Sequence, residues 1–129
     1  MADQLPKPTE AELEILTVLW SIGPATVRHV YDEISRRRVA QYSTILKFMQ
    51  IMTEKGLVVR DEEQRAHIYT AAKPSEWTRQ QLAGDLMQRA FSGSAKALLI
   101  GALSSRKASK KELAELRDLL DEYESGRKK

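Results

Sequence analysis

Leu13, Leu16, Val18, Leu19 and Trp20 recur at helical spacing near the start of the chain and give one broad apolar face. Thr9, followed three residues later by Glu12, has the form of a capping box, so a helix is predicted from about Glu10 to Ser21. Gly23-Pro24 ends it. A second amphipathic stretch follows the N-cap Thr26 and runs to about Ser35, with Val27, Val30, Tyr31 and Ile34 inward and Arg28, Asp32 and Glu33 outward. A third helix is predicted from around Tyr42 to Thr44 as far as Lys55, burying Ile45, Phe48, Met49 and Met52. Gly56 is placed for the left-handed turn that closes it.

The period then changes. Leu57 to Asp61 and His67 to Ala71 read as two strands, built on Val58, Ile68 and Tyr69 and joined by the polar turn Glu62 to Ala66. Lys73-Pro74 marks a boundary. Ser75 is expected to cap a fourth helix reaching about Phe91, with Trp77, Leu82, Leu86 and Met87 on its apolar side. Ser92-Gly93 breaks it, and a fifth helix spans about Ser94 to Leu103. The sixth starts after Ser109, with Glu112 completing a second capping box, and continues through Leu113, Leu116, Leu119, Leu120 and Tyr123 to Glu124. The terminal SGRKK is expected to fray. The chain has no internal repeat.

These elements predict a mainly α protein with a small β-hairpin wing. A winged helix-turn-helix occupies residues 1–73 and a C-terminal three-helix dimerisation region residues 74–129. Helix, basic joint, surface helix and charged hairpin in that order imply binding to duplex DNA. The outer face of the third helix carries Ser43, Leu46, Lys47 and Gln50, three and four residues apart. Donors, acceptors and one apolar side chain able to meet a thymine methyl are what base reading needs. Leu46 equally suits packing against the wing or the first helix. Helices of about fifty residues in all cannot bury their own apolar faces. Pairing with a second copy is the simplest remedy, and the leucines are too few for a long coiled coil.

Charge sharpens this picture locally. The net charge of the 129 residues is +3, yet residues 1–72 carry nine Lys/Arg against ten Asp/Glu. Between Arg36 and Arg60, however, Arg36, Arg37, Arg38, Lys47, Lys55 and Arg60 face only Glu54. A local patch is what phosphate responds to. Arg38 is expected to hold phosphate, Ser43 and Lys47 to read or anchor, and Arg65 to meet the backbone from the wing. The acidic overall balance of residues 1–72 keeps open the alternative of a winged-helix protein-protein interaction module without DNA binding.

Other chemistries find no residues. There is no cysteine, which removes disulfides, thiolate catalysis and cysteine-based metal sites. His29 and His67 lack a third ligand nearby, so no metal or other cofactor is expected. Ser43-Thr44 lacks an activating base, Glu10, Glu12 and Glu14 read as the acidic bias of a helix start, and no glycine-rich phosphate loop is present. The expectation is that the chain is not an enzyme. No apolar run is long enough to span a membrane and the start has no apolar segment, so a cytoplasmic protein without membrane insertion is expected.

TEAELEILTVLWSIGPATVRHVYDEI, YSTILKFMQIMTEKGLV and the hairpin ending in HIYTA resemble the penicillinase-repressor (BlaI/MecI) family of bacterial transcription regulators. The resemblance extends from about Leu5 to Leu120 and takes in GSAKALLIGAL. It implies a homodimeric winged-helix repressor on a pseudo-palindromic operator, often with TACA and TGTA half-sites. It further implies that Tyr42, Ser43, Thr44 and Lys47 face the DNA, that Arg65 lies in the wing, and that the C-terminal helices dimerise. Leu98, Leu99, Leu103, Leu113, Leu116 and Leu120 are the expected contacts. Two features depart from the family. Antibiotic-responsive members answer to a membrane-bound sensor protease through cleavage at an Asn-Phe bond, where this chain has Gly101-Ala102 and no asparagine anywhere. Copper-responsive members use cysteines that are absent here. The inducing signal therefore stays open.

Overall fold

The computed structural model describes residues 7–126. Its first helix, α1 (Glu10–Ile22), starts from the expected capping box. Thr9 Oγ1 accepts the Glu12 N–H at 3.2 Å, and the Thr9 N–H donates to Glu12 Oε1 at 3.0 Å. Gly23 closes α1 at φ 86° and ψ −166°, backbone that only glycine adopts without strain. Thr26 caps α2 (Val27–Ser35) through the His29 N–H at 3.1 Å. α3 (Tyr42–Lys55) ends on Gly56 at φ 84°. There the Gly56 N–H reaches Thr53 O and the Leu57 N–H reaches Met52 O, the paired bonds of a Schellman cap.

That cap explains why the wing is shorter than expected. Leu57 is still bonded to α3, so β1 (Val58–Asp61) begins one residue later, opposite β2 (Ile68–Ala71). The strands are antiparallel, with Val58 facing Ala71 and Arg60 facing Tyr69. A third rung was not visible in the sequence. Ala25, just before α2, exchanges both backbone hydrogen bonds with Tyr69, at 3.0 and 2.8 Å. The loop between α1 and α2 is thereby stitched to the wing.

One core joins these elements. Ile15, Leu16, Val18 and Leu19 of α1 pack with Val30 and Ile34 of α2, Ile45, Met49 and Met52 of α3, and Leu57, Val58 and Tyr69 of the hairpin. Burying each large side chain contributes roughly 1.5–3 kcal/mol relative to exposure. Phe48, expected inside, is only half-buried at the edge. Trp20 and Trp77 are also half-buried. The Trp20 indole donates to Lys73 O at 3.0 Å, and Lys73 Nζ lies 5.2 Å from the centre of the Trp77 ring.

The chain divides into two compact units, Met1–Ala83 and Gly84–Lys129, so the division falls inside α4 (Ser75–Ala90) and not at Lys73-Pro74. Pro74 O already accepts the Thr78 N–H, which makes Ser75 the first helical residue rather than the cap. Thr78 is the buried residue of α4. In the second unit, Ser94 caps α5 (Ala95–Ser105) through the Ala97 N–H, and Ser109 caps α6 (Lys110–Glu124) through the Glu112 N–H. The second capping box forms only by half. The Glu112 carboxylate turns to Arg106, at 2.9 and 3.1 Å.

α5 and α6 contain no buried residue. Leu98, Leu99, Leu113 and Leu116 are half-buried, while Leu103 and Leu120 are exposed, Leu120 by 58%. Gly101 and Ala102 are exposed on α5. Among the described residues no helix is long and apolar enough to cross a membrane. The first six residues, and part of the tail expected to fray, lie outside the described residues.

Candidate nucleic-acid interface

α3 is the element whose far side is left open. Ile45, Met49 and Met52 point into the core. Ser43, Lys47 and Gln50, on the opposite side at spacings of four and three, are exposed, as are Tyr42 and Thr44 at the start of the helix. Among the described residues, Lys47 and Arg65 have no ion-pair partner. Arg65 lies exposed in the turn of the wing. The sequence expectation of one surface built from these side chains is thus compatible with their exposure.

The amino end of α3 differs from those of α1, α2, α5 and α6. Its N-cap is Gln41, whose side chain makes no capping hydrogen bond. The first-turn N–H groups of a helix have no acceptor within it. Here no side chain supplies one, and partial positive charge is left at the surface. Tyr42 is held by Tyr31 of α2, ring centres 5.7 Å apart and edge to face, and Arg28 lies 5.8 Å from the Tyr31 ring centre. This aromatic contact between α2 and α3 escaped the sequence reading, which had placed Tyr31 simply among the inward residues.

Two of the expected site residues are differently engaged. Leu46 is half-buried and packs against the core cluster, so its methyl groups already have apolar neighbours. Arg38 is clasped by Glu14 of α1. Its Nη2 donates to Oε1 at 2.6 Å, its Nε lies 3.1–3.2 Å from both oxygens, and its Nη1 donates to Val39 O at 3.0 Å. The hydrogen bond from Arg38 holds the Glu14 carboxyl below its ordinary range, and the same bond raises Arg38. The exposed Arg36 pairs with the half-buried Glu33 at 3.4 Å.

Two residues read as helix-start bias prove to be connectors. Glu12 is 2% exposed, and beyond capping α1 it receives Lys55 Nζ at 2.8 and 3.0 Å. Burial pushes its carboxyl up, but the hydrogen bonds from Lys55 and Thr9 outweigh burial and leave it below the ordinary 4.5. Glu12 therefore ties α1 to the carboxyl end of α3, and Glu14 ties α1 to the joint that leads into its amino end.

The groove between α1 and the joint, past Leu13, Thr17 and Arg37, is open to solvent and does not enclose a small molecule. Among the described residues no group of acidic or histidine side chains could hold a metal ion. The prominent feature is a convex polar helix face beside a hairpin.

Three helices, a two-stranded wing and a free outer face on the third helix define a winged helix-turn-helix protein. The penicillinase repressor family matches residues 8–122, and the chain belongs to that family. It is 32% identical over 123 residues to the transcriptional regulator BlaI of Mycobacterium tuberculosis, covering 91% of this chain and 85% of that one. It is 22% identical over 125 residues to the penicillinase repressor of Bacillus licheniformis, covering 97% and 98%. Among solved structures it is similar to the DNA-binding domain of the repressor BlaI, with a TM-score of 0.50 and 25% identity, over 56% of this chain and 88% of that chain.

Proposed function

We propose that this chain is a sequence-specific DNA-binding transcriptional repressor that acts in the cytoplasm as a homodimer on a pseudo-palindromic operator. The observation that carries the reading is the outer face of α3. Ser43, Lys47 and Gln50 are exposed together, behind an uncapped helix start and beside a wing bearing Arg65. Side-chain amide, hydroxyl and ammonium groups read base edges in the major groove. Uncapped N–H groups at a helix start donate to a phosphate. Tyr42 and Thr44 flank that start, and Arg65 reaches the sugar-phosphate backbone from the wing.

Two copies would place one α3 in each of two successive major grooves, with half-site centres about one helical turn apart. The dimer contacts are assigned to Leu98, Leu99, Leu103, Leu113, Leu116 and Leu120. Nothing in the arrangement favours catalysis, and control by a membrane-bound sensor protease is not carried over, because Gly101-Ala102 replaces the family's cleaved bond.

Duplex binding measured over a salt series tests the proposal. A protein that neutralises several phosphates loses affinity steeply, with a slope near −0.9 per phosphate contacted. A flat response, or no binding to any duplex selected from a random pool, refutes it in favour of a protein-protein module.

A further inference from the structure

We propose that Glu14 and Arg38 form a strut that positions α3, so that Arg38 is a positioning residue for DNA recognition and not a phosphate contact. The inference rests on the DNA-binding reading above. Arginines in the joint of such a fold would ordinarily be assigned to phosphate by charge alone. The geometry commits this one to Glu14, although its side chain remains 49% exposed. The Nε/Nη2 edge of its guanidinium, one of the two that dock bidentately on an oxyanion, is occupied by the Glu14 carboxylate at 2.6–3.2 Å. Nη1 is bonded to Val39 O within the joint itself.

The consequence follows from what lies on either side. Residues 36–41 have no regular structure between α2 and α3; Val39 is 93% exposed, and Ala40 is the apolar side chain of the segment that packs on the core. Gln41 caps nothing with its side chain. The Glu14–Arg38–Val39 chain adds a polar tie to α1 beside the packing of Ala40 on the core and the Tyr31–Tyr42 contact. At the other end of α3, Glu12 holds Lys55 at 2.8 Å. α1 therefore grips both approaches to α3 through two carboxylates two residues apart, and an interface that reads bases needs its helix held in that way.

The two roles for Arg38 predict opposite signs. A phosphate contact competes with Glu14, so removing the carboxylate would free the guanidinium and tighten binding. A strut loses its anchor in that variant, and binding weakens. Binding by fluorescence anisotropy is compared for the full chain and for Glu14→Gln, Arg38→Ala and the exchange Glu14→Arg with Arg38→Glu. The probes are a duplex enriched by the wild-type chain from a random pool and a shuffled duplex of the same composition, over a salt series.

The strut predicts that both single variants weaken binding to the enriched duplex by about two- to fivefold, the range of an exposed ion pair. They leave the shuffled duplex and the salt slope unchanged, and the charge exchange restores affinity. The proposal is overturned if Arg38→Ala weakens both duplexes equally and lowers the salt slope by about one, as loss of a phosphate contact does. Tighter binding by Glu14→Gln overturns it as well. A wild-type chain that enriches no duplex overturns the DNA-binding reading itself, a result distinct from either.

Discussion

Lys55 Nζ lies 2.8 Å from Oε2 of Glu12, and those two residues are forty-three positions apart in the chain. Glu12 is buried, Lys55 half-buried, and the same carboxylate receives the Thr9 N–H that opens α1. One side chain thus completes a helix cap and an inter-helix tie.

Replacing it should be costly despite its place in the first turn of a surface helix. Glu12→Gln keeps the shape but removes the charge that two hydrogen-bonded groups face. The expected loss is about 1.5–3 kcal/mol, the range for hydrogen bonds to a charged group. Urea unfolding of the two proteins side by side measures it. A midpoint equal to wild type would mean that the tie contributes nothing.

The pH dependence has a definite sign. Glu12 and Glu14 both ionise more readily in the folded chain than at the ordinary 4.5. Folded values below unfolded ones mean stability that is fully present above about pH 4.5 and is lost as pH falls through the folded values. Unfolding midpoints should therefore decline on going from about pH 6 to about pH 3. The decline should be shallower in Glu12→Gln, because one of the protonating groups is gone.

At the proposed interface, Lys47→Ala should weaken binding to an enriched duplex by about 1–3 kcal/mol if its ammonium bonds a base. Lys47 is exposed and has no ion pair among the described residues, so folding should be untouched. Titration of the enriched duplex with each protein gives the comparison, and equal affinities would exclude Lys47 from the contact.

Leu120 is 58% exposed in the single chain. Leu120→Glu should leave the helical content intact and shift sedimentation toward the monomer. A dimer of undiminished strength would move the interface elsewhere.

Gly84 sits inside α4 with ordinary helical backbone and nothing within 4 Å of where a Cβ would stand. Neither crowding nor positive φ calls for glycine there. Gly84→Ala should raise stability by roughly 0.5–1 kcal/mol, the helix cost of glycine against alanine, visible as a higher unfolding midpoint.

What the sequence disclosed was whatever depends on neighbours a few residues away. Thr9 with Glu12, Thr26, Gly56 and the β-forming Val58, Ile68 and Tyr69 announced helix ends and hairpin, because caps, turns and strands obey local rules. The outer face of α3 was legible for the same reason, since helical spacing alone separates Lys47 from Met49. Partners distant in the chain were hidden. Glu14 meets Arg38 across twenty-four positions and Ala25 meets Tyr69 through backbone that carries no side-chain signature. Charge counting therefore assigned Arg38 to phosphate, and Glu12 was given only the local roles of capping box and acidic helix start. Leu46 was ambiguous because its place on α3 borders both faces, and it is half-buried against the core.

α5 and α6 contain no buried residue, and the proposed homodimer would give mass action a part in their folding. In the proposed dimer the second chain provides the interior, so dilution itself acts as a denaturant for that region. Its melting temperature should climb with protein concentration, and operator occupancy should fall faster than in simple proportion as the protein becomes scarce.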